Sequence, residues 1–215
     1  MTVRPPLDLS VYLVTDTRMC GRFGVVPTVI DAVSAGVTAV QLRDPHSSDE
    51  EFVELGTRLR KSLDGTGVPL LVNDRVHLVA EIGASGAHVG QGDVHPGSAR
   101  DVLGEDRYLG LSVQTVDHVD EALQLPADTL DYLGVGPVWT QATKPDAAAP
   151  CSPEALADIV RRSPWPCIAI GGVDAGRAVT VRRSGAAGMA VVSAICGRSD
   201  VAAATRNLRD AWERS

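Results

Sequence analysis

The stretch Pro69-Leu70-Leu71-Val72-Asn73-Asp74-Arg75 sets the pattern from which the fold is read. Its apolar part does not alternate with polar residues, as expected of a strand covered on both faces in a parallel sheet. It then breaks off in an amide, a carboxylate and a guanidinium. Seven further runs share this character: Val11 to Thr15, Ala39 to Leu42, Gly86 to Val89, Tyr108 to Ser112, Tyr132 to Val135, Cys167 to Ile170 and Met189 to Ser193. Helical signals lie between them. Ser47-Ser48-Asp49-Glu50-Glu51 caps a helix with Phe52, Leu55 and Leu59 on one face, and Ser152-Pro153-Glu154 opens another with proline in its first turn. Strand followed by helix, repeated eight times at regular spacing without a second domain, predicts an α/β fold. A single (β/α)8 TIM barrel over residues 1–215 fits better than an open doubly wound sheet.

Composition narrows the function classes. The 215 residues carry 20 Lys and Arg against 27 Asp and Glu, a net charge of −7, and the basic residues are scattered. That argues against a nucleic-acid surface. Three Trp, three Tyr and two Phe leave a core built mostly of Val, Ile, Leu and Ala. Cys20, Cys151, Cys167 and Cys196 stand in neither C-x-x-C nor Cys/His ligand spacing, so a disulfide framework or zinc site is not expected. Residues 1–10 lack the charged and apolar regions of an export signal, and no apolar run approaches a membrane span. The expectation is a cytoplasmic protein with no membrane partner; a homo-oligomer stays open.

In a barrel the site lies beyond the C-terminal ends of the strands, and there the residues turn polar. Gln41-Leu42-Arg43-Asp44, Asn73-Asp74-Arg75, Gly90-Gln91-Gly92-Asp93 and Ser112-Val113-Gln114-Thr115 follow successive runs. Asp74 and Asp93, on neighbouring strands, could converge on one hard cation such as Mg²⁺, which takes one or two carboxylates, waters and phosphate oxygens and so suggests a diphosphate substrate. Either aspartate could instead cap the following helix. Ile170-Gly171-Gly172-Val173 and Val192-Ser193-Ala194 follow the last two runs, where barrels frequently bind phosphate through backbone N–H groups. The irregular stretch from Thr140 to Cys151 reads as a loop that could close over the site, and Lys144 on it offers a charge between the two anion sites. His77, His88 and His118 read as structural or surface groups, His46 and His95 as loop residues without a nucleophile partner, and none is assigned to catalysis. No Gly-x-Ser-x-Gly elbow or Cys/His pair points to acyl transfer.

Taken in order, Tyr12-Leu-Val-Thr-Asp16, Val40-Gln-Leu-Arg43, Leu71-Val-Asn-Asp-Arg75, His88-Val-Gly-Gln-Gly-Asp93, Gly110-Leu-Ser112, Asp131-Tyr-Leu-Gly-Val-Gly-Pro137, Thr143-Lys144, Ala169-Ile-Gly-Gly172 and Ala190-Val-Val-Ser-Ala-Ile195 resemble the thiamine phosphate synthase family over nearly the whole chain. The resemblance implies a transferase that joins 4-amino-5-hydroxymethyl-2-methylpyrimidine diphosphate to a thiazole phosphate by a dissociative mechanism, releasing diphosphate. On that likeness Asp74 and Asp93 correspond to Mg²⁺ ligands. Gln41, Arg43, Asn73, Ser112 and Lys144 correspond to groups that bind the pyrimidine diphosphate, with Arg43, Lys144 and Ser112 the candidates for catalysis. Gln141, Ala142, Thr143, Gly172, Val192 and Ser193 fall where the thiazole phosphate binds.

Three positions depart from the family pattern. Pro45 stands where a lysine usually continues the second-strand motif, Trp139-Thr140-Gln141 replaces Phe-Pro-Thr, and Gln114 replaces a frequent histidine. The alternatives are the related thiazole tautomerase, which relies on a histidine at the place of Gln114, and a non-catalytic barrel that senses a phosphorylated ligand.

Overall fold

The computed structural model describes residues 5–140 and 149–215. Eight strands close a barrel in chain order: β1 (Val11–Val14), β2 (Ala39–Leu42), β3 (Leu70–Asn73), β4 (Gly86–Val89), β5 (Tyr108–Val113), β6 (Tyr132–Val135), β7 (Cys167–Ala169) and β8 (Gly188–Val191). Every neighbouring pair is parallel, and β8 returns to β1 through Val11 opposite Met189. Helices α1 (Thr17–Cys20), α2 (Val25–Ser34), α3 (Asp49–Ser62), α4 (Val79–Ile82), α5 (Pro96–Leu103), α6 (Val116–Ala122), α7 (Ser152–Arg162), α8 (Ala178–Arg183) and α9 (Val201–Glu213) surround it. The (β/α)8 reading of the apolar runs holds. The loop expected over the site falls on Thr140 to Cys151, of which residues 141–148 lie outside the described residues.

Helix boundaries follow local chemistry. Ser48 and Glu51 form a reciprocal capping box at the start of α3: the Glu51 amide donates to Ser48 Oγ and the Ser48 amide to Glu51 Oε2. Three acidic residues in the first turn and Arg60 and Lys61 in the last complement the helix dipole. Proline in the first turn of α7 supplies a fixed φ where no helical N–H bond is needed.

Strand alternation divides the core into two compartments. Val11, Leu13, Val40, Leu42, Leu70, Val72, Ala87, Val89, Leu133 and Val135 face outward into the layer under the helices, joined by Phe52, Leu59, Leu156, Ile159 and Leu208. Leu9, Tyr12, Val14, Ala39, Leu71, Tyr132, Ile168 and Ala190 form the second, inside the barrel. The runs look uniformly apolar because both faces of each strand are covered. The N-terminal segment closes the bottom of the barrel, where Tyr108 Oη donates to the Pro5 carbonyl at 2.8 Å.

Moving toward the C-terminal ends, the inward positions change from aliphatic to polar: Gln41 on β2, Asn73 on β3, His88 on β4 and Ser112 on β5. Asn73 and Ser112 lie within their strands, paired opposite His88 and Gly134, so the polar residues start inside the sheet and not after it. The pleat therefore holds these side chains on a rigid frame.

Candidate active site

A cavity of about 350 Å³ opens at the C-terminal mouth of the barrel. Gln41, Arg43, Asn73, Ser112, Gly172, Val192 and Ser193 all line it, so strands distant in sequence bring these expected residues together, whereas Asp74 and Asp93 are not among the residues that line it. That volume suits small-molecule substrates. Gln141, Ala142, Thr143 and Lys144 lie outside the described residues.

Arg43 follows β2 and is anchored by its backbone: its amide donates to Thr15 Oγ1 at 3.0 Å. Its guanidinium stands 4.0 Å from Asp16 Oδ2 and lines the cavity. Asp16 is itself fixed as the cap of α1, accepting from the Met19 amide at 2.9 Å. Arg75, by contrast, points away from the cavity. It donates to the carbonyls of Asp44, Ser47 and Ser48 and to Asp49 Oδ1, and lies 4.6 Å over the Phe52 ring, so it holds the loop between β2 and α3.

Asp74 and Asp93 are exposed, after β3 and β4, outside the lining of the cavity. Neither caps a helix: His95 caps α5, and Arg75 precedes the short 3-10 turn after β3. Asp74 instead holds a left-handed backbone at φ 62, a conformation that costs a non-glycine residue energy and concentrates at functional sites. Its amide donates to the His88 carbonyl at 2.9 Å, tying it to the end of β4. Asp93 Oδ2 accepts from the Gly90 amide at 2.7 Å, which closes the turn and fixes the carboxylate. Among the described residues no group of three or more His, Cys, Asp or Glu side chains is gathered for a metal ion. A cation on this pair of hard carboxylates would complete its shell with water and substrate oxygens, the habit of Mg²⁺.

The opposite side of the mouth is built from backbone. Gly171 and Gly172 have φ 89 and 66, and a Cβ on Gly172 would meet the Thr140 carbonyl at 2.8 Å and Trp139 Cβ at 2.9 Å. Their carbonyls are engaged from behind: the Trp139 amide donates to Gly171 at 3.1 Å, and Arg177 donates to Gly172 while lying 4.9 Å over the Trp139 ring. After β8, a turn opens at Val192, whose carbonyl accepts from the amides of Ile195 and Cys196 at 3.0 and 2.8 Å. Gln114, on the cavity wall, donates through Nε2 to the Ala149 carbonyl.

The residue that sequence reading passed over is His88. Expected as a structural or surface group, it lines the cavity and sits in a buried hydrogen-bond chain. Gln41 Nε2 donates to Tyr12 Oη at 3.0 Å, Tyr12 Oη and Tyr132 Oη are 2.8 Å apart, Tyr132 Oη is 3.0 Å from His88 Nδ1, and His88 Nε2 is 2.9 Å from Ser112 Oγ. Burial pushes the Tyr12 phenol up to about 12 and that of Tyr132 well above its ordinary value, so both keep their protons. The available signal was parity. His88 falls on the inward-facing position of its strand, opposite Asn73 and Gly110.

Fold and site together define a parallel-barrel enzyme of small-molecule chemistry, with its working groups at the C-terminal mouth. Comparison with known proteins gives the family. Residues 11–195 match the family described as thiamine monophosphate synthase. The chain is 43% identical over 192 residues to a thiamine-phosphate synthase of Psychrobacter sp., covering 89% of this chain and 90% of the relative. It is 41% identical to one of Azorhizobium caulinodans, with 98% of each chain covered. A solved thiamine phosphate pyrophosphorylase from Pyrococcus furiosus superposes with a TM-score of 0.85 at 30% identity over 96% of each chain. The chain belongs to the thiamine monophosphate synthase family.

Proposed function

We propose that this enzyme of thiamine phosphate synthesis joins 4-amino-5-hydroxymethyl-2-methylpyrimidine diphosphate to 4-methyl-5-(2-phosphoethyl)thiazole, or its carboxylated form, releasing diphosphate. The type of enzyme rests on family membership and on relatives matched over nearly their full length. The observation that supports this particular reaction is the division of one cavity mouth into a side-chain half, after β2 to β5, and a backbone half, after β7 and β8. Two differently charged substrates, a diphosphate and a monophosphate, can then meet over the barrel axis.

In this reading Asn73 and Gln41 orient the pyrimidine diphosphate, and Ser112 holds the ring. Arg43 and Lys144 stabilise the leaving diphosphate more in the transition state than in the ground state, since its charge grows as the C–O bond breaks. Mg²⁺ bound by Asp74 and Asp93 would neutralise part of that charge. The aminopyrimidine spreads its own positive charge by resonance, so no protein nucleophile is required. The thiazole nitrogen then attacks the carbon that lost the diphosphate. Gly172, Val192 and Ser193, with Gln141, Ala142 and Thr143, hold the thiazole phosphate and so aim that nitrogen. Gln114 has no titratable proton to offer, which counts against the tautomerase chemistry. The reading keeps the protein in the cytoplasm as one barrel domain over residues 1–215; among the described residues no helix is long and apolar enough to cross a membrane.

The test supplies both substrates with and without Mg²⁺ and measures thiamine phosphate and diphosphate. Equal, Mg²⁺-dependent amounts of the two products are expected. No thiamine phosphate under either condition would sink the reaction, and equal turnover after chelation would sink the role of Mg²⁺.

A further inference from the structure

The chain of hydrogen bonds across the barrel has a direction, and the direction is set at the end farthest from Ser112. Tyr12 is fully buried, and its hydroxyl has a single hydrogen. With the Gln41 amide nitrogen donating to its oxygen, that hydrogen goes to the second neighbour, Tyr132 Oη. Tyr132 then accepts from Tyr12 and sends its own hydrogen to His88 Nδ1. A neutral imidazole that accepts at Nδ1 carries its proton on Nε2, 2.9 Å from Ser112 Oγ. Ser112 accepts that proton's hydrogen bond, and its own hydrogen is left for a group in the cavity. The reverse order would leave the hydrogen of the fully buried Tyr12 facing two donors, a cost that buried polar groups are arranged to avoid.

The packing around the chain is built for it. A Cβ on Gly110 would stand 2.2 Å from the Tyr132 ring and 2.5 Å from His88 Nδ1, and one on Gly134 would stand 2.9 Å from His88 Cε1. Inward positions that a barrel core normally fills are left without side chains, and the imidazole and phenol occupy that room. The Tyr12 and Tyr132 rings meet edge on at 5.9 Å, and His88 and Tyr132 lie 5.4 Å apart, so neither ring can turn without disturbing its neighbour.

We propose that Gln41, Tyr12 and Tyr132 form a one-way relay that fixes His88 as the Nε2–H tautomer and thereby holds Ser112 as a hydrogen-bond donor into the cavity, with the Gln41 amide oxygen as an acceptor at the other end. Tyr12 and Tyr132 are positioning residues that act through His88. An acceptor at one end and a donor at the other suit a heterocycle that offers an amino group and an unprotonated ring nitrogen. An oxo analogue presents the opposite pair. This recognition step rests on the synthase reading; the tautomer does not.

The experiment is ¹⁵N NMR of the histidine-labelled full-length protein without substrate, the His88 signals being those lost in His88→Gln. The wild type shows Nε2 protonated and Nδ1 bare. Tyr12→Phe, which takes away the hydroxyl bonded to Gln41 and Tyr132, removes the instruction and gives a mixture of both tautomers. Gln41→Glu, whose carboxylate accepts from Tyr12, reverses every bond and gives the Nδ1–H form. An Nδ1–H imidazole in the wild type would overturn the relay, as would an unchanged tautomer in Tyr12→Phe. A purely structural tyrosine would leave that signal where it was. In turnover, Tyr12→Phe narrows the kcat/KM preference for the amino over the oxo pyrimidine diphosphate by roughly tenfold. An unaltered preference alongside the expected tautomer shift would overturn the recognition step alone, whereas absence of product from the wild type would count against the synthase reading and leave the NMR result standing.

Discussion

The two halves of the cavity mouth work through different parts of the polypeptide. On and just beyond β2 to β5 the cavity-lining groups are side chains, Gln41, Arg43, Asn73, His88 and Ser112, each held by the strand or by a specific bond behind it, with Asp74 and Asp93 exposed outside the lining. After β7 and β8 they are backbone, with Gly171 and Gly172 in left-handed conformations and the turn after Val192. Charged side chains suit a dense charge that must be stabilised as it grows. Backbone N–H groups on a fixed turn suit an anion that only has to be held. On this view the first half governs kcat and the second governs KM for the thiazole.

Breaking the first half should have the largest effect. Asp74→Asn combined with Asp93→Asn is expected to lower kcat by more than about a thousandfold with the circular dichroism spectrum unchanged, since each carboxylate stands at the surface and neither caps a helix. Steady-state kinetics at saturating Mg²⁺ check it, and activity close to wild type would refute the metal assignment. Arg43→Ala comes next, with a loss of about 10²- to 10³-fold in kcat and little change in KM for the thiazole phosphate. A rise confined to that KM would place Arg43 in the wrong half.

The second half should respond in the opposite parameter. Gly172→Ala meets a positive φ and two close contacts, so it should raise KM for the thiazole phosphate and lower stability by about 1–3 kcal/mol, read from substrate titrations and urea unfolding. Ser193→Ala removes one side-chain hydroxyl from the cavity wall and should raise the same KM by only about threefold to tenfold, equivalent to one hydrogen bond. If either variant lowered kcat without moving that KM, the division of labour would fail.

The same contrast explains what could be read in the sequence. Side-chain chemistry leaves a visible mark, and Gln41, Arg43, Asn73 and Ser112 stand out because polar residues interrupt aliphatic runs. A backbone site leaves only glycines, which also serve ordinary turns, so Gly172 and Ser193 gained meaning mainly from lying after the last two strands. Arg75 looked like a member of the site but its guanidinium turns outward onto the β2–α3 loop, a choice fixed by Asp49, Phe52 and three carbonyls that no local pattern reveals. His88 looked ordinary because its partners, Tyr12, Tyr132 and Ser112, come from three other strands. The runs announced the barrel itself, since eight unbroken apolar segments with short helical spacers have few other ways to bury both faces.

The proposed division of the mouth into two anion sites is tested most directly by calorimetric titration of inorganic diphosphate and, separately, of the thiazole phosphate into the wild type and into the double variant Asp74→Asn, Asp93→Asn, all with Mg²⁺. The expected result is that the variant loses diphosphate binding and keeps the wild-type affinity for the thiazole phosphate. Equal loss of both ligands, or full retention of diphosphate, would contradict the account.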